Sequence, residues 1–239
     1  MSCKYKYKRV LLKLSGEALA GKQGFGIDSG VISKIAEEVA VIAKDGVQIA
    51  IVIGGGNFLR GADAADVSRV AGDAMGMLAT VINSIAFAER LNSRGVDARV
   101  FTAVRIDRAG EYYTPDRAIA ALESGAVTLI GGGTGSPFFT TDTAAALRCA
   151  EIGAEAVLKA TKVDGVYDSD PMKNPDAKRF VTITHAEALA KKLKVMDATA
   201  FSFCMEQRIP IVVFKLLEEG NLAKCLTGEA VGTTITIEN

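Results

Sequence analysis

The sequence predicts an α/β fold: an open, mostly parallel sheet sandwiched between helices. Three observations carry this. Short β-branched apolar runs alternate with segments of helical periodicity along almost the whole chain. Repeated strand–helix–strand order makes successive strands parallel, with helices on both faces. Runs such as VQIAIVI (47–53) are apolar almost without interruption, the mark of a strand covered on both sides. With 239 residues, 49% of them hydrophobic, the chain can bury one substantial core as one domain, 1–239.

The elements follow in order. RVLLKLS (9–15) reads as the first strand. VISKIAEEVAVIAK (31–44) has apolar residues at helical spacing, with Asp28 and Ser29 before it as caps. VQIAIVI is the second strand. A helix over 76–92 precedes strand DARVF (97–101), and a helix over 115–123 precedes strand AVTLI (126–130). A glycine-rich loop then leads to a helix from about 143 to 153. EAVLKA (155–160) is a strand, 198–207 a helix, PIVVF (210–214) a strand, and TTITI (233–237) the last strand. The stretch 164–176 is the longest irregular segment. Residues 76–91, GMLATVINSIAFAERL, are apolar round most of the helix until Glu89. Such a helix requires cover on several sides, from the core or from a second subunit.

Charge and cysteine usage narrow the function. Lys plus Arg and Asp plus Glu each total 28, and a balanced chain lacks the basic excess that general nucleic-acid binding needs. The one basic cluster, Lys4, Lys6, Lys8 and Arg9 around Tyr5 and Tyr7, reads as a solvated arm. Cys3, Cys149, Cys204 and Cys225 are scattered without a CxxC pair. With no signal peptide, this suggests reduced thiols in a cytoplasmic protein. The apolar run after Arg9 is interrupted at Lys13 and is too short to span a membrane. His185 is the only histidine, which excludes multi-histidine metal sites; it follows Thr184 near a helix start, in a capping or surface role.

Three glycine-bearing loops follow strands. Gly16 to Lys22 spells GxxxxGK, but Gln23 stands where a P-loop requires Ser or Thr, so that motif is rejected. Lys13, just before Ser15 and Gly16, still equips this loop for phosphate. IGGGNFLRG (53–61) ends a buried strand with three glycines and Arg60. Glycines let backbone N–H groups approach an anion, and an arginine fork matches phosphate oxygens. GGGTGSPFFTTDT (131–143) brings Thr140, Thr141 and Thr143 to a helix start, where free N–H groups and the dipole favour an anion. Asp142 there is either an N-terminal cap or a working group. Phe138 and Phe139 anchor the loop or wall a base pocket. Three such loops at the carboxyl ends of parallel strands share one sheet edge, where open α/β sheets bind ligands. They suit a ligand with several phosphates, or two phosphorylated ligands side by side.

LLKLSGEALAG, IVIGGGNFLRG, GDAMGMLATVIN, TGSPFFTTDTAAALR and LKATKVDGVYDSDP occur in that order. They resemble the bacterial uridylate (UMP) kinases of the amino-acid kinase superfamily, over about 8–235. The resemblance implies an acceptor-binding lobe, roughly 1–130, and an ATP-binding lobe, roughly 131–239. It implies transfer of the γ-phosphoryl group of Mg-ATP to UMP, giving UDP and ADP for pyrimidine nucleotide biosynthesis. Mg²⁺ would be carried by ATP, not by protein side chains. A homohexamer built as a trimer of dimers is implied, with the apolar helix at an interface, as are GTP activation and UTP inhibition. Neither nucleic acid nor membrane is an implied partner.

Carried over by position, Lys13, Leu14, Ser15, Gly16, Gly56 and Arg60 would meet the ATP phosphates. Thr161, Tyr167 and Asp170 would border the ATP nucleoside. Gly55 would face UMP and Asp73 would hold its ribose. Thr134, Gly135, Ser136, Pro137, Phe138, Phe139, Thr140 and Thr141 would wrap UMP. Ser136 departs from the family's TGNPFF, so one UMP contact is shortened or replaced by water. Gly21, Lys22, Gln23, Gly24, Phe25 and Gly26 resemble a segment tied to allosteric nucleotide control.

The chemistry suits these residues. The acceptor is a phosphate oxygen, ionised near neutrality because its second pKa is about 6. No general base is needed, and catalysis rests on cations: Lys13, Arg60, Mg²⁺, and Lys159 or Lys162. Asp142 would orient Lys13, making Lys13, Arg60 and Asp142 the catalytic set. A kinase of the same fold acting on a carboxylate or carbamate, and a nucleotide-binding sensor without turnover, are the alternatives.

Overall fold

The structure, a computed structural model, describes residues 4–59, 67–169, 171 and 173–237. β1 (Arg9–Leu14) is followed by the short α1 (Gly16–Leu19), a 3₁₀ turn at Gly21–Gln23, and α2 (Ser29–Lys44). Next come β2 (Gln48–Ile53), α3 (Arg69–Asn92), β3 (Ala98–Thr102), β4 (Glu111–Tyr112) and α4 (Pro115–Glu123). β5 (Val127–Gly131), α5 (Thr141–Glu151), β6 (Val157–Thr161), β7 (Thr182–Thr184) and α6 (His185–Ala190) follow. α7 (Ala198–Glu206), β8 (Ile211–Lys215), α8 (Asn221–Thr227) and β9 (Thr233–Thr236) complete the order.

Among the described residues, one nine-stranded sheet runs β4-β3-β5-β2-β1-β6-β8-β9-β7. β4 through β8 in that order are parallel; β9 runs antiparallel to β8, and β7 is parallel to β9. β5, β2 and β1, the three strands that end in glycine-bearing loops, are neighbours. Their loops therefore meet at one edge, as the strand order in the sequence predicts.

The pleat sorts side chains into two cores. Leu12 and Leu14 of β1 and Ile49, Ile51 and Ile53 of β2 face the layer with α2, α3 and α8. Leu11, Ala50 and Val52 face the layer with α4, α5 and α7. Because alternate residues share a face, Lys13 continues the Leu11 side and Lys159 the Val157 side. Both lysines thus point toward α5.

Several boundaries differ from the sequence reading. α3 begins at Arg69, two turns before 76, because Ser68 accepts from the Ala71 amide and starts the helix there. Gly72, Asp73 and Gly76 had masked its apolar period. α5 is capped by Thr140, whose hydroxyl accepts from the Asp142 and Thr143 amides, so Asp142 is not the cap. The short β4, β7, α1, α6 and α8 carry too few periodic residues to be read from sequence.

The N-terminal arm is solvated only on its lysine side: Lys4, Lys6 and Lys8 are exposed, while the tyrosines between them pack inward. Tyr5 and Tyr7 are buried, Lys4 pairs with Asp45, and Arg9 donates to Gln48, the Ile152 carbonyl and Glu123. His185 is not at the surface. It is buried, its Nδ1 lies 2.8 Å from the Thr236 carbonyl, and its ring tilts on Phe201. Thr184 is the cap, in a reciprocal capping box with Glu187. Burial lowers the His185 pKa against the opposing Thr236 contact, so the ring is a neutral core group.

Candidate active site

Lys13 and Lys159 are register partners on the adjacent parallel strands β1 and β6. In-register neighbours point to one face, so two ammonium groups are forced side by side. Asp142, in the first turn of α5, lies between them: Lys13 Nζ is 2.7 Å from Oδ1 and Lys159 Nζ 2.6 Å from Oδ2. All three side chains are nearly buried. Burial pushes the Asp142 carboxyl up, but the charges of Lys13 and Lys159 together outweigh it and hold the group below its usual range. Lys159 is drawn below the ordinary lysine value, first by burial and then by the Lys13 charge, against the pull of Asp142. The triad keeps one net positive charge at the mouth of the glycine loops.

The α6–α7 connection braces this triad. Lys159 Nζ donates also to the Val195 carbonyl at 2.7 Å. Asp197 caps α7 and accepts from the hydroxyls of Thr140, at 2.5 Å, and Thr143. Sequence reasoning missed Asp197 and Val195. The Asp-before-helix pattern at 197 signals a cap, but nothing local shows that its carboxylate reaches across to α5. With its proton committed to Asp197 and its oxygen to two amides, Thr140 has only its backbone to offer a ligand.

The loops themselves converge. Gly54 N donates to Leu14 O at 2.9 Å, joining the ends of β1 and β2. A Cβ on Gly16 would lie 2.2 Å from Gly54 O, so only glycine fits there. A cleft of about 220 Å³ opens beside them, lined by Gly55, Gly56, Asp73, Thr134, Ser136, Phe139, Thr140 and Thr141, with Gly76 and Thr80 of α3 behind. Gly135, Pro137 and Phe138 belong to the same loop but not to this lining. Phe138 is exposed, with a left-handed φ of 72°, and its amide donates to Asp73 at 2.8 Å. That bond, then Arg69, lowers the Asp73 pKa despite some burial. A non-glycine residue in this backbone region stores strain, typical of ligand-holding loops.

Other predicted positions divide. Leu14 is fully buried, so its side chain cannot reach a ligand. Ser15 precedes α1 at the end of β1. Thr161 ends β6 and donates to Val163 O, and Tyr167 donates to Asp164. Arg60 and Asp170 lie outside the described residues. Lys162 is exposed and 3.6 Å from Glu17, away from the triad. Gly21, Gly24 and Phe25 line a second hollow of about 400 Å³ that shares Gly56 with the first. Lys22, Gln23 and Gly26 lie in the same segment outside that lining. A wider cleft of about 860 Å³, at the β4 edge around Arg99, Arg105, Arg108 and Arg117, contains none of these positions.

Cations fixed at the carboxyl edge of a parallel sheet, facing glycine loops, make this a phosphate-handling α/β enzyme. The chain belongs to the amino acid kinase family, whose model matches residues 8–215. Among similar solved structures, UMP kinase from Bacillus anthracis is 37% identical with a TM-score of 0.94, covering 98% of this chain and 97% of that one. UMP kinase from Ureaplasma parvum is 37% identical with a TM-score of 0.92, covering 97% of this chain and 99% of that one. Uridylate kinase from Archaeoglobus fulgidus is 26% identical with a TM-score of 0.75, covering 95% and 99%.

Proposed function

We propose that this chain is a UMP kinase, transferring the γ-phosphoryl group of ATP to UMP to give UDP and ADP. The observation that carries the reading is the Asp142-held lysine pair at the mouth of a cleft lined by Asp73 and the 134–141 loop. Its support is the 37% identity to UMP kinases over nearly full length.

The acceptor oxygen of UMP arrives ionised, so no side chain has to remove a proton. Lys13 and Lys159 hold positive charge where two phosphates converge, and amides of the Ser15–Gly16 and Gly55–Gly56 segments supply fixed dipoles. Asp142 keeps both ammonium groups aimed. Lys159, not Lys162, is the second lysine of the transfer site. Asp73, an acceptor-only group, suits a ribose hydroxyl, and Phe139 offers a face for the base. Ser136 is shorter than the asparagine of the family pattern, so that UMP contact is shortened or replaced by water. Ser15, Gly16, Gly56, Thr161 and Tyr167 line the route to ATP, to which the buried Leu14 offers backbone only; Arg60 and Asp170, the other ATP contacts of this reading, lie outside the described residues. The lobes, roughly 1–130 on the acceptor side and roughly 131–239 on the ATP side, share one continuous sheet and exchange loops across the cleft, which Gly55, Asp73 and the 134–141 loop all line.

Both Asp142 oxygens face ammonium groups, which engages the carboxylate nearest the transfer point with cations of the chain itself. The donor set therefore fits Mg²⁺ held by the ATP phosphates, where the ion would neutralise their charge.

The same reading extends to a cytoplasmic homohexamer, a trimer of dimers, activated by GTP and inhibited by UTP through the 21–26 segment. For the subunit interface the support is α3: Met75, Leu78, Ile82 and Ile85 are exposed along one stripe, which a second subunit would cover. α3 is long and apolar enough to cross a bilayer by length and composition, yet its inner edge is polar and bonded into the loops.

A coupled ADP-release assay with UMP, CMP, carbamate and acetylglutamate tests the function. ADP release that depends on UMP is expected; faster release with carbamate or acetylglutamate would overturn it.

A further inference from the structure

We infer that the buried edge of α3 positions the two halves of the site separately: Asn83 holds the phosphate-transfer loop, and Thr80 holds the acceptor loop. The inference rests on the proposed kinase reading and assigns roles to two residues that touch loops rather than the transfer point.

Asn83 has no exposed surface and Asn57 almost none. Their side-chain amides pair reciprocally, Asn57 Nδ2 to Asn83 Oδ1 at 2.9 Å and Asn83 Nδ2 to Asn57 Oδ1 at 2.7 Å. Asn83 Nδ2 also donates to Gly54 O at 2.7 Å, and Asn57 Nδ2 to Gly26 O at 2.8 Å. The Gly26 amide returns a bond to Asn57 O at 2.9 Å. Four polar groups that burial would otherwise orphan are thus satisfied within one ring. The carbonyl that Asn83 fixes is the one against which Gly16 packs. Asn83 therefore sets the distance between the β1 and β2 loops, where both phosphates meet.

One turn earlier, Thr80 Oγ1 accepts from the Gly132 amide at 2.7 Å and donates to Met77 O at 2.6 Å. Gly132, Gly133 and Gly135 all have positive φ (82°, 60° and 84°), so this loop has little rigidity of its own. A Cβ on Gly131 would stand 3.1 Å from Val81 and 3.2 Å from Ser84 Oγ, so α3 seats the loop closely. Arg148, buried beneath Tyr113, lies 3.4 Å from the Gly133 and Thr134 carbonyls on the other side. Thr80 therefore sets where the UMP-wrapping loop begins, without touching the lysine triad.

The two roles separate in kinetics. Asn83→Ala should lower kcat about tenfold or more, because the loops no longer meet in transfer geometry, with KM for UMP within about twofold. Thr80→Val, which removes the acceptor for Gly132 N, should raise KM for UMP about tenfold with kcat within about twofold. Thr80→Ser keeps the hydroxyl and should restore the wild-type KM. Each variant is melted by circular dichroism and assayed well below its transition. If Asn83→Ala does not fold, Asn83→Ser, too short to reach Gly54 O, takes its place. Calorimetric titration with UMP reads the Thr80 effect without turnover. The inference is overturned if both variants change kcat and KM alike, if either leaves its parameter unmoved, or if Thr80→Ser behaves as Thr80→Val. A wild-type protein that releases no ADP with UMP would sink the functional reading; calorimetry would still decide the Thr80 role.

Discussion

Replacing Asp142 by asparagine removes one negative charge and leaves the geometry almost unchanged. Lys13 and Lys159 are held at 2.7 and 2.6 Å from opposite oxygens of that carboxylate. Their ammonium nitrogens then stand about 5 Å apart, and at an effective dielectric of about 20 they repel by about 3 kcal/mol. Side-chain exposures of 11% for Lys13, 13% for Lys159 and 14% for Asp142 leave little room for screening by water. An asparagine oxygen can accept from one lysine but not from both. Lys159, already drawn downward by burial, is the one that sheds its proton or turns away. Losing one aimed charge from the transfer site should reduce kcat about a hundredfold, about 2.7 kcal/mol. KM for UMP should stay within about threefold, since Asp142 is outside the cleft lining. A stability loss of up to about 3 kcal/mol would lower Tm by about 6–12 °C for a chain of this size. Initial rates of ADP release at saturating ATP and UMP, paired with a thermal melt, read both numbers. An asparagine variant with turnover within twofold of wild type would refute the role of Asp142.

Three further predictions follow from the same geometry. Because burial depresses Lys159 below its usual 10.5, kcat should fall on the alkaline side at a pH below 10.5. Stability carries the opposite sign, rising as pH climbs through the folded pKa, because the buried ammonium is the costly form. A kcat profile with no alkaline fall below pH 10.5 would contradict this. Gly16→Ala should abolish activity or folding, since its Cβ would meet the Gly54 carbonyl at 2.2 Å, and a backbone atom there cannot give way; measurable turnover with a normal melt would count against it. Ile82→Lys places a charge in the exposed stripe of α3 and should convert a hexamer into smaller species by light scattering; an unchanged mass would show the stripe is not an interface.

The loops were legible from sequence because three glycine-bearing turns follow strands of a parallel sheet, which brings them to one edge. Lys13 was legible because it interrupts an apolar strand. Asp142 was ambiguous: a carboxylate at a helix start usually caps, and only the finding that Thr140 caps α5 releases it. Lys159 could not be separated from Lys162 by sequence, since the choice depends on strand register, which pairs Lys159 with Lys13. Asn57, Asn83 and Thr80 read as ordinary helix and loop residues; their role lies in contacts 26 and 52 residues apart, beyond any local pattern. His185 and the two tyrosines of the N-terminal arm were misjudged for a related reason. Their burial depends on α6, α7, α8 and β9 packing over them, and the short α6 and α8 carry no periodic signal.

The central claim is that Lys13 and Lys159, held by Asp142, are where the two phosphates meet. A crystal structure with UMP and a non-hydrolysable ATP analogue tests it most directly. Both ammonium nitrogens within about 3 Å of phosphate oxygens, with UMP in the cleft between Asp73 and Phe139, is the expected result. Phosphates bound elsewhere, with the Lys13–Asp142–Lys159 contacts undisturbed and facing solvent, would contradict it.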